Sequence, residues 1–139
     1  VLCNAIKDRH PDHQQAAQLV SKACFLSGLK KLKSEDEGNS QNSHRPKAVY
    51  HYIQDRWTQP DLVIDISNEF DQKIKAIKSY KSQFYDPDNK EPSTSISTKE
   101  FLDSITSKAI LLGRELNCKY GEGFTSERYI GVDDLMKLI

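Results

Sequence analysis

The stretch Val1-Leu2-Cys3-Asn4-Ala5-Ile6-Lys7-Asp8-Arg9-His10-Pro11-Asp12-His13 decides the fold. An apolar run gives way to a polar turn and then to a helix-entry signal, which is how a βα unit opens. Asp12 and Gln15 stand in capping-box spacing behind Pro11, so a helix is expected from near Asp12. Ala16, Leu19, Val20, Ala23, Cys24 and Phe25 recur at helical spacing as its core face, and Gly28 marks its end. The chain starts at Val1 without Met and runs straight into the strand. It therefore reads as the C-terminal part of an α/β domain.

Outward from this unit, Lys33 to Lys47 shows no apolar periodicity and is expected to be a surface loop. Two strands follow, Ala48 to Ile53 and Leu62 to Ile66; the second is apolar on both parities apart from Asp65, as a central strand would be. Ser67 is expected to cap a second helix whose core face is Phe70, Ile74, Ile77, Tyr80 and Phe84. A polar loop, Asp86 to Ser97, leads to Ser97-Thr98-Lys99-Glu100, another capping-box pattern. The third helix carries Phe101, Ile105, Ala109, Leu112 and Leu116 on one side, and Tyr120-Gly121-Glu122-Gly123-Phe124 reads as a glycine-punctuated turn.

The chain has 139 residues, with 20 Lys plus Arg against 20 Asp plus Glu and 37% hydrophobic residues. This is one globular domain, spanning 1–139, and its zero net charge argues against nucleic-acid binding, which needs a cationic excess on one face. No apolar run approaches the roughly 18 residues of a membrane span, and no charged n-region with an apolar h-region opens the chain. Cys3, Cys24 and Cys118 are odd in number and widely spaced, as reduced thiols of a cytoplasmic protein would be.

Asp8-Arg9-His10-Pro11-Asp12-His13 sets a cluster of ionisable residues between a strand end and a helix start, where open α/β sheets bind ligands. His10 and His13 are three apart, so one can ligate a metal while the other faces the same cavity, and Asp12 is close enough to orient an imidazole. The plainer reading is a solvated, well-capped turn, because two histidines do not complete a zinc site. Arg45 can hold a carboxylate or phosphate through its planar fork, or be an ordinary surface arginine. No GxGxxG, GKS/GKT, CxxC, HExxH or GxSxG pattern occurs.

The same hexapeptide resembles the second signature of the PIG-L/LmbE-like zinc-dependent N-acetylglucosamine deacetylases. His44-Arg45-Pro46, Val49-Tyr50-His51-Tyr52-Ile53, Pro60-Asp61-Leu62-Val63-Ile64-Asp65-Ile66-Ser67, Tyr80-Lys81-Ser82-Gln83-Phe84 and Tyr120 to Phe124 stand in the order that family shows. Phe25 to Leu29 and Ser82 to Pro87 are similar to Bacteroidetes members of the bacillithiol branch, which act on N-acetylglucosaminyl malate. The resemblance implies a Rossmann-like α/β domain, mostly parallel, with flanking helices, and a cytoplasmic hydrolase that uses zinc. It makes His13 a zinc ligand, His10 the group that meets the substrate carbonyl oxygen, Asp12 the support of that imidazole, and Arg9 and Arg45 substrate-binding residues.

The family's other two zinc ligands come from an AHPDD-type motif that these residues do not contain, and Phe101 stands where some relatives carry a tyrosine. The implied partners are a small amino-sugar substrate, an N-terminal companion segment and further copies of the complete enzyme, with no nucleic acid or membrane. The competing expectation is a carbohydrate-binding or scaffolding remnant that keeps the fold without catalysis.

Overall fold

In a computed structural model, which describes residues 1–138, the elements in chain order are β1 (Leu2–Cys3), α1 (Pro11–Ser27), β2 (Glu35–Asp36), β3 (Asn39–Ser40), β4 (Tyr50–Tyr52), β5 (Leu62–Asp65), α2 (Phe70–Lys78), α3 (Lys99–Glu115) and β6 (Gly121–Ser126). A single 3₁₀ turn, Leu135–Lys137, closes the described chain. The chain divides into a first unit, residues 1–62 with 123–138, and a second, residues 63–122.

In the first unit β1 lies parallel to β4, with Leu2 opposite Tyr50 and Cys3 opposite His51. Parallel neighbours need a crossover, and the segment carrying α1 supplies it. β4 also pairs antiparallel with the end of β6, His51 opposite Thr125 and Tyr52 opposite Phe124, whose ring centroids are 5.8 Å apart. The expected α/β architecture with flanking helices is present, and its sheet is mixed.

α1 begins earlier than the capping-box spacing predicts. His10 is its N-cap, and Pro11 takes the first helical position, where its missing N–H costs nothing. Of the α1 residues only Ala17 is buried; Leu19 and Phe25 are 69% and 57% exposed, so the apolar stripe read from the sequence is not the face this structure covers. Gly28 does end the helix. Within the expected loop 33–47, β2 and β3 form a hairpin whose tip residues Glu37 and Gly38 both have positive φ, the two-residue turn geometry that matches strand twist.

The second unit is an apolar assembly. Ile66, Phe70 and Ala109 form its buried core with Ile74 and Tyr120 packed against them, and the Phe70 and Tyr120 rings stack at 3.8 Å. β5 is paired by the start of β6 and, among the described residues, by no other strand. It is an edge, with Ile64 47% exposed, and not the central strand its composition suggests. Residues 120–124 are also not a turn: Gly121 and Gly123 are buried in β6. A Cβ at Gly121 would stand 2.8 Å from Gly113 N and Leu112 C, and one at Gly113 2.9 Å from Tyr120 Cα. The two glycines let α3 lie directly on the strand.

Ser67 does not cap α2. Glu69 is the N-cap, without a side-chain bond. Ser67 Oγ donates to Asp65 Oδ1 at 2.6 Å and accepts from the N–H groups of Lys119 and Tyr120. α2 ends at Lys78, leaving Tyr80 and Phe84 in the turns beyond it. α3 follows the reading closely, with Ala109 and Leu112 buried and Thr98 rather than Ser97 as cap, its Oγ1 accepting from Phe101 N. The three cysteines are free thiols, Cys3 buried and the others half-buried. No described helix is long and apolar enough to cross a membrane.

Candidate functional site

The link between β1 and α1 is organised by Asp8, whose side chain is fully buried. A buried carboxylate must have its lone pairs satisfied. Oδ1 accepts the N–H groups of Asp55 at 3.0 Å and Arg56 at 2.9 Å, and Oδ2 meets His13 Nδ1. Burial raises the cost of charge on Asp8. The hydrogen bond from Arg56 N–H, then those from His13 and Arg9 N–H, outweigh it and hold the carboxyl below its usual value. Gln54 binds the same junction from the other side, accepting Ala5 N–H at 2.9 Å and Asn4 Nδ2 at 3.3 Å, while Gln14 Nε2 donates to Asp8 O.

The consequence for His13 is chemical. An ionised carboxylate only accepts, so Nδ1 of His13 carries a proton, and in the neutral ring the lone pair is on Nε2, open to an electrophile. A carboxylate behind a ligating imidazole is the usual support of a metal-binding histidine. His10 lies one turn back, ring centroids 5.4 Å apart, with Nδ1 accepting from Asp12 N–H at 3.3 Å as the helix cap. That leaves its Nε2 as a donor.

The Asp12 carboxylate is 78% exposed and 3.8 Å from His10 Nδ1, beyond hydrogen-bond reach. Its contact with His10 runs through the backbone. Arg9 Nε is paired with Asp55 Oδ2 at 2.5 Å. Arg45 belongs to a different part of this unit: its guanidinium stands over the Phe25 ring at 4.9 Å and donates to Phe25 O. The structure thus brings His10, His13, Arg9 and Asp12 together at one junction and sets Arg45 in a separate groove.

Asp8 is the functional residue that spacing arguments passed over. It is the last acidic position before the helix signal, and its role depends on the backbone of residues 55–56, some 47 positions away in sequence. As a metal site the residues fit in part. His13 offers one prepared nitrogen, but among the described residues no group of three His, Cys, Asp or Glu is placed to hold an ion.

The chain has a mixed α/β fold, with a histidine pair at a helix entry, and that fold is shared with solved deacetylase structures. The individual comparisons follow suit. Over 75 residues the chain is 31% identical to diacetylchitobiose deacetylase of Thermococcus kodakarensis, a match covering 54% of this chain and 27% of that protein. The conserved protein TT1542 of Thermus thermophilus superposes with a TM-score of 0.77 at 25% identity, over 95% of this chain and 52% of the other.

N,N'-diacetylchitobiose deacetylase from Pyrococcus horikoshii superposes at 0.67 with 21% identity, over 91% of this chain and 44% of that one. The 4-carboxy-2-hydroxymuconate hydratase GalB of Pseudomonas putida also reaches 0.67, at 20% identity, covering 97% and 54%. No family model matches. The chain spans about half the length of these solved structures and about a quarter of the curated relative.

Proposed function

We propose that this chain carries the histidine half of an amino-sugar N-deacetylase, a hydrolase that removes acetate from an N-acetylglucosaminide. The observation that supports this reading is the Asp8–His13 pair, which prepares Nε2 of His13 as a ligand at the carboxyl end of a strand. The local match to a diacetylchitobiose deacetylase agrees with it. Because one fold hosts many chemistries, and a hydratase shares this one, the junction and not the fold carries the argument.

Zinc is the proposed metal, with His13 among its ligands and the remaining donors drawn from an AHPDD-type motif; when bound it would supply Lewis-acid polarisation and a water acidified towards a pKa of about 7. The chain's own residues do the rest. His10, with Nδ1 tied to the helix start, presents Nε2–H to the oxygen that gains charge in the transition state. Asp12 supports that ring through its backbone, its N–H donating to His10 Nδ1 and holding the Nε2–H tautomer. Arg9, held by Asp55, provides a cation for an acidic aglycone. Within the class we favour N-acetylglucosaminyl malate and the cytoplasmic bacillithiol branch, on the order of motifs in the sequence.

The test is acetate release from N-acetylglucosaminyl malate and from diacetylchitobiose, alongside metal content by mass spectrometry. His13→Ala is expected to lose zinc and turnover together, whereas His10→Ala keeps zinc and loses turnover by about 10²-fold or more. Zinc retained in full by His13→Ala overturns the ligand assignment. No acetate from either sugar in a zinc-loaded protein leaves the non-catalytic reading in its place.

A further inference from the structure

A groove of about 680 Å³ opens in the first unit between α1 and residues 45–49, and Asp8, His10 and His13 do not line it. Its charge is one-sided. Lys22, Arg45, Lys47 and Arg128 face it against a single carboxylate, Glu127. That carboxylate is already engaged, Oε1 lying 2.9 Å from Nε2 of His51, an imidazole only 1% exposed whose Nδ1 is 2.7 Å from Asn4 O. In a chain whose charges cancel overall, this is a local cationic excess with an apolar floor from Ala17, Phe25 and Val49.

The arginines are seated, not loose. Residues 44–45 are stitched to the end of α1 by Ser27 Oγ donating to His44 O at 2.8 Å and His44 N donating to Ser27 O at 2.9 Å. Arg45 then stacks on Phe25 and donates through Nη2 to its carbonyl. A Cβ at Gly28 would come within 2.4 Å of Arg45 Nε. Gly28 has φ −83°, which any residue adopts, so the guanidinium and not the backbone calls for glycine there. Arg128 is fixed in the same way, Nη2 donating to Lys47 O. Each arginine uses one of its five N–H donors on a carbonyl and keeps a pre-oriented fork for a ligand.

We propose that this groove binds a small organic anion, a phosphate ester or carboxylate with a compact apolar body, gripped by Arg45 and Arg128. Its volume falls within the usual range for small-molecule sites, roughly 300–1,000 Å³. This site is independent of the deacetylase reading.

Isothermal titration with inorganic phosphate, and separately with succinate, at neutral pH and constant chloride tests it. Saturable binding is expected, tighter for phosphate if the natural ligand is a phosphate ester and for succinate if it is a carboxylate. Arg45→Gln with Arg128→Gln should weaken it about tenfold or more, as two lost charge-assisted bonds imply.

Gly28→Ala, which keeps every charge and removes only the seat of Arg45, should weaken it by about threefold, and so should Arg128→Gln alone if the double variant fails to fold. His13→Ala should bind as the parent does. Neither anion saturating, parental affinity in both Gly28→Ala and Arg128→Gln, or an equal loss in His13→Ala overturns the proposal.

Discussion

The junction around Asp8 and the core around Phe70 solve the burial problem in opposite ways. At the junction one carboxylate gathers two backbone N–H groups and an imidazole, so position is fixed by directed bonds. In the second unit position is fixed by contact, with stacked rings and two glycines that let helix and strand backbones touch. The first arrangement is sensitive to charge and indifferent to small changes of volume. The second is the reverse, and that suits a junction that must present one nitrogen lone pair in one direction.

The sharpest way to break the contrast is to truncate each centre. Asp8→Ala strands two buried N–H donors and frees the His13 ring; we expect a loss of about 3–5 kcal/mol, read from the urea midpoint. Phe70→Ala should cost about the same through a cavity. The pair separates by a second readout: Asp8→Ala should shift the His13 ring nitrogens in ¹⁵N spectra towards a mixture of tautomers, and Phe70→Ala should leave them unchanged.

Gly121→Ala comes next, at about 1–3 kcal/mol, because its Cβ meets backbone that cannot rotate away. Gly28→Ala is its control, since there the obstacle is the end of a side chain. Thermal melts of the two should differ, with the Gly28 variant within about 0.5 kcal/mol of the parent.

Acidity sharpens the comparison from the other side. The Asp8 carboxyl titrates lower in the folded protein than in the unfolded chain, so it adds stability above the unfolded value of about 3.9, and that contribution is lost as pH falls through the folded value. Urea midpoints taken from neutral pH down through this window should fall for the parent and flatten for Asp8→Asn. A modest effect is expected at Thr98→Ala, where loss of the α3 cap costs about 1 kcal/mol and shows as fraying of residues 99–102 by hydrogen exchange.

Local signals located α1 and α3, because capping residues and helical periodicity act within a few positions of one another. They placed β4 and β5 to within a few residues, and they put the histidine pair at the mouth of α1. They failed at residues 120–124, where two glycines read as a turn although they lie in β6, and at Ser67, whose hydroxyl answers to Lys119 and Tyr120 and not to the next helix. They carried no sign that Arg45 and Arg128 line one groove, since the two come from segments far apart in the chain.

The sequence by itself determined an α/β chain with a histidine-bearing helix entry, because those features are written in neighbouring residues. Only the tertiary structure decided that the Asp8 carboxylate holds His13. A buried carboxylate takes its role from whichever N–H groups the fold brings to it, and here they arrive from the strand connection at residues 55–56.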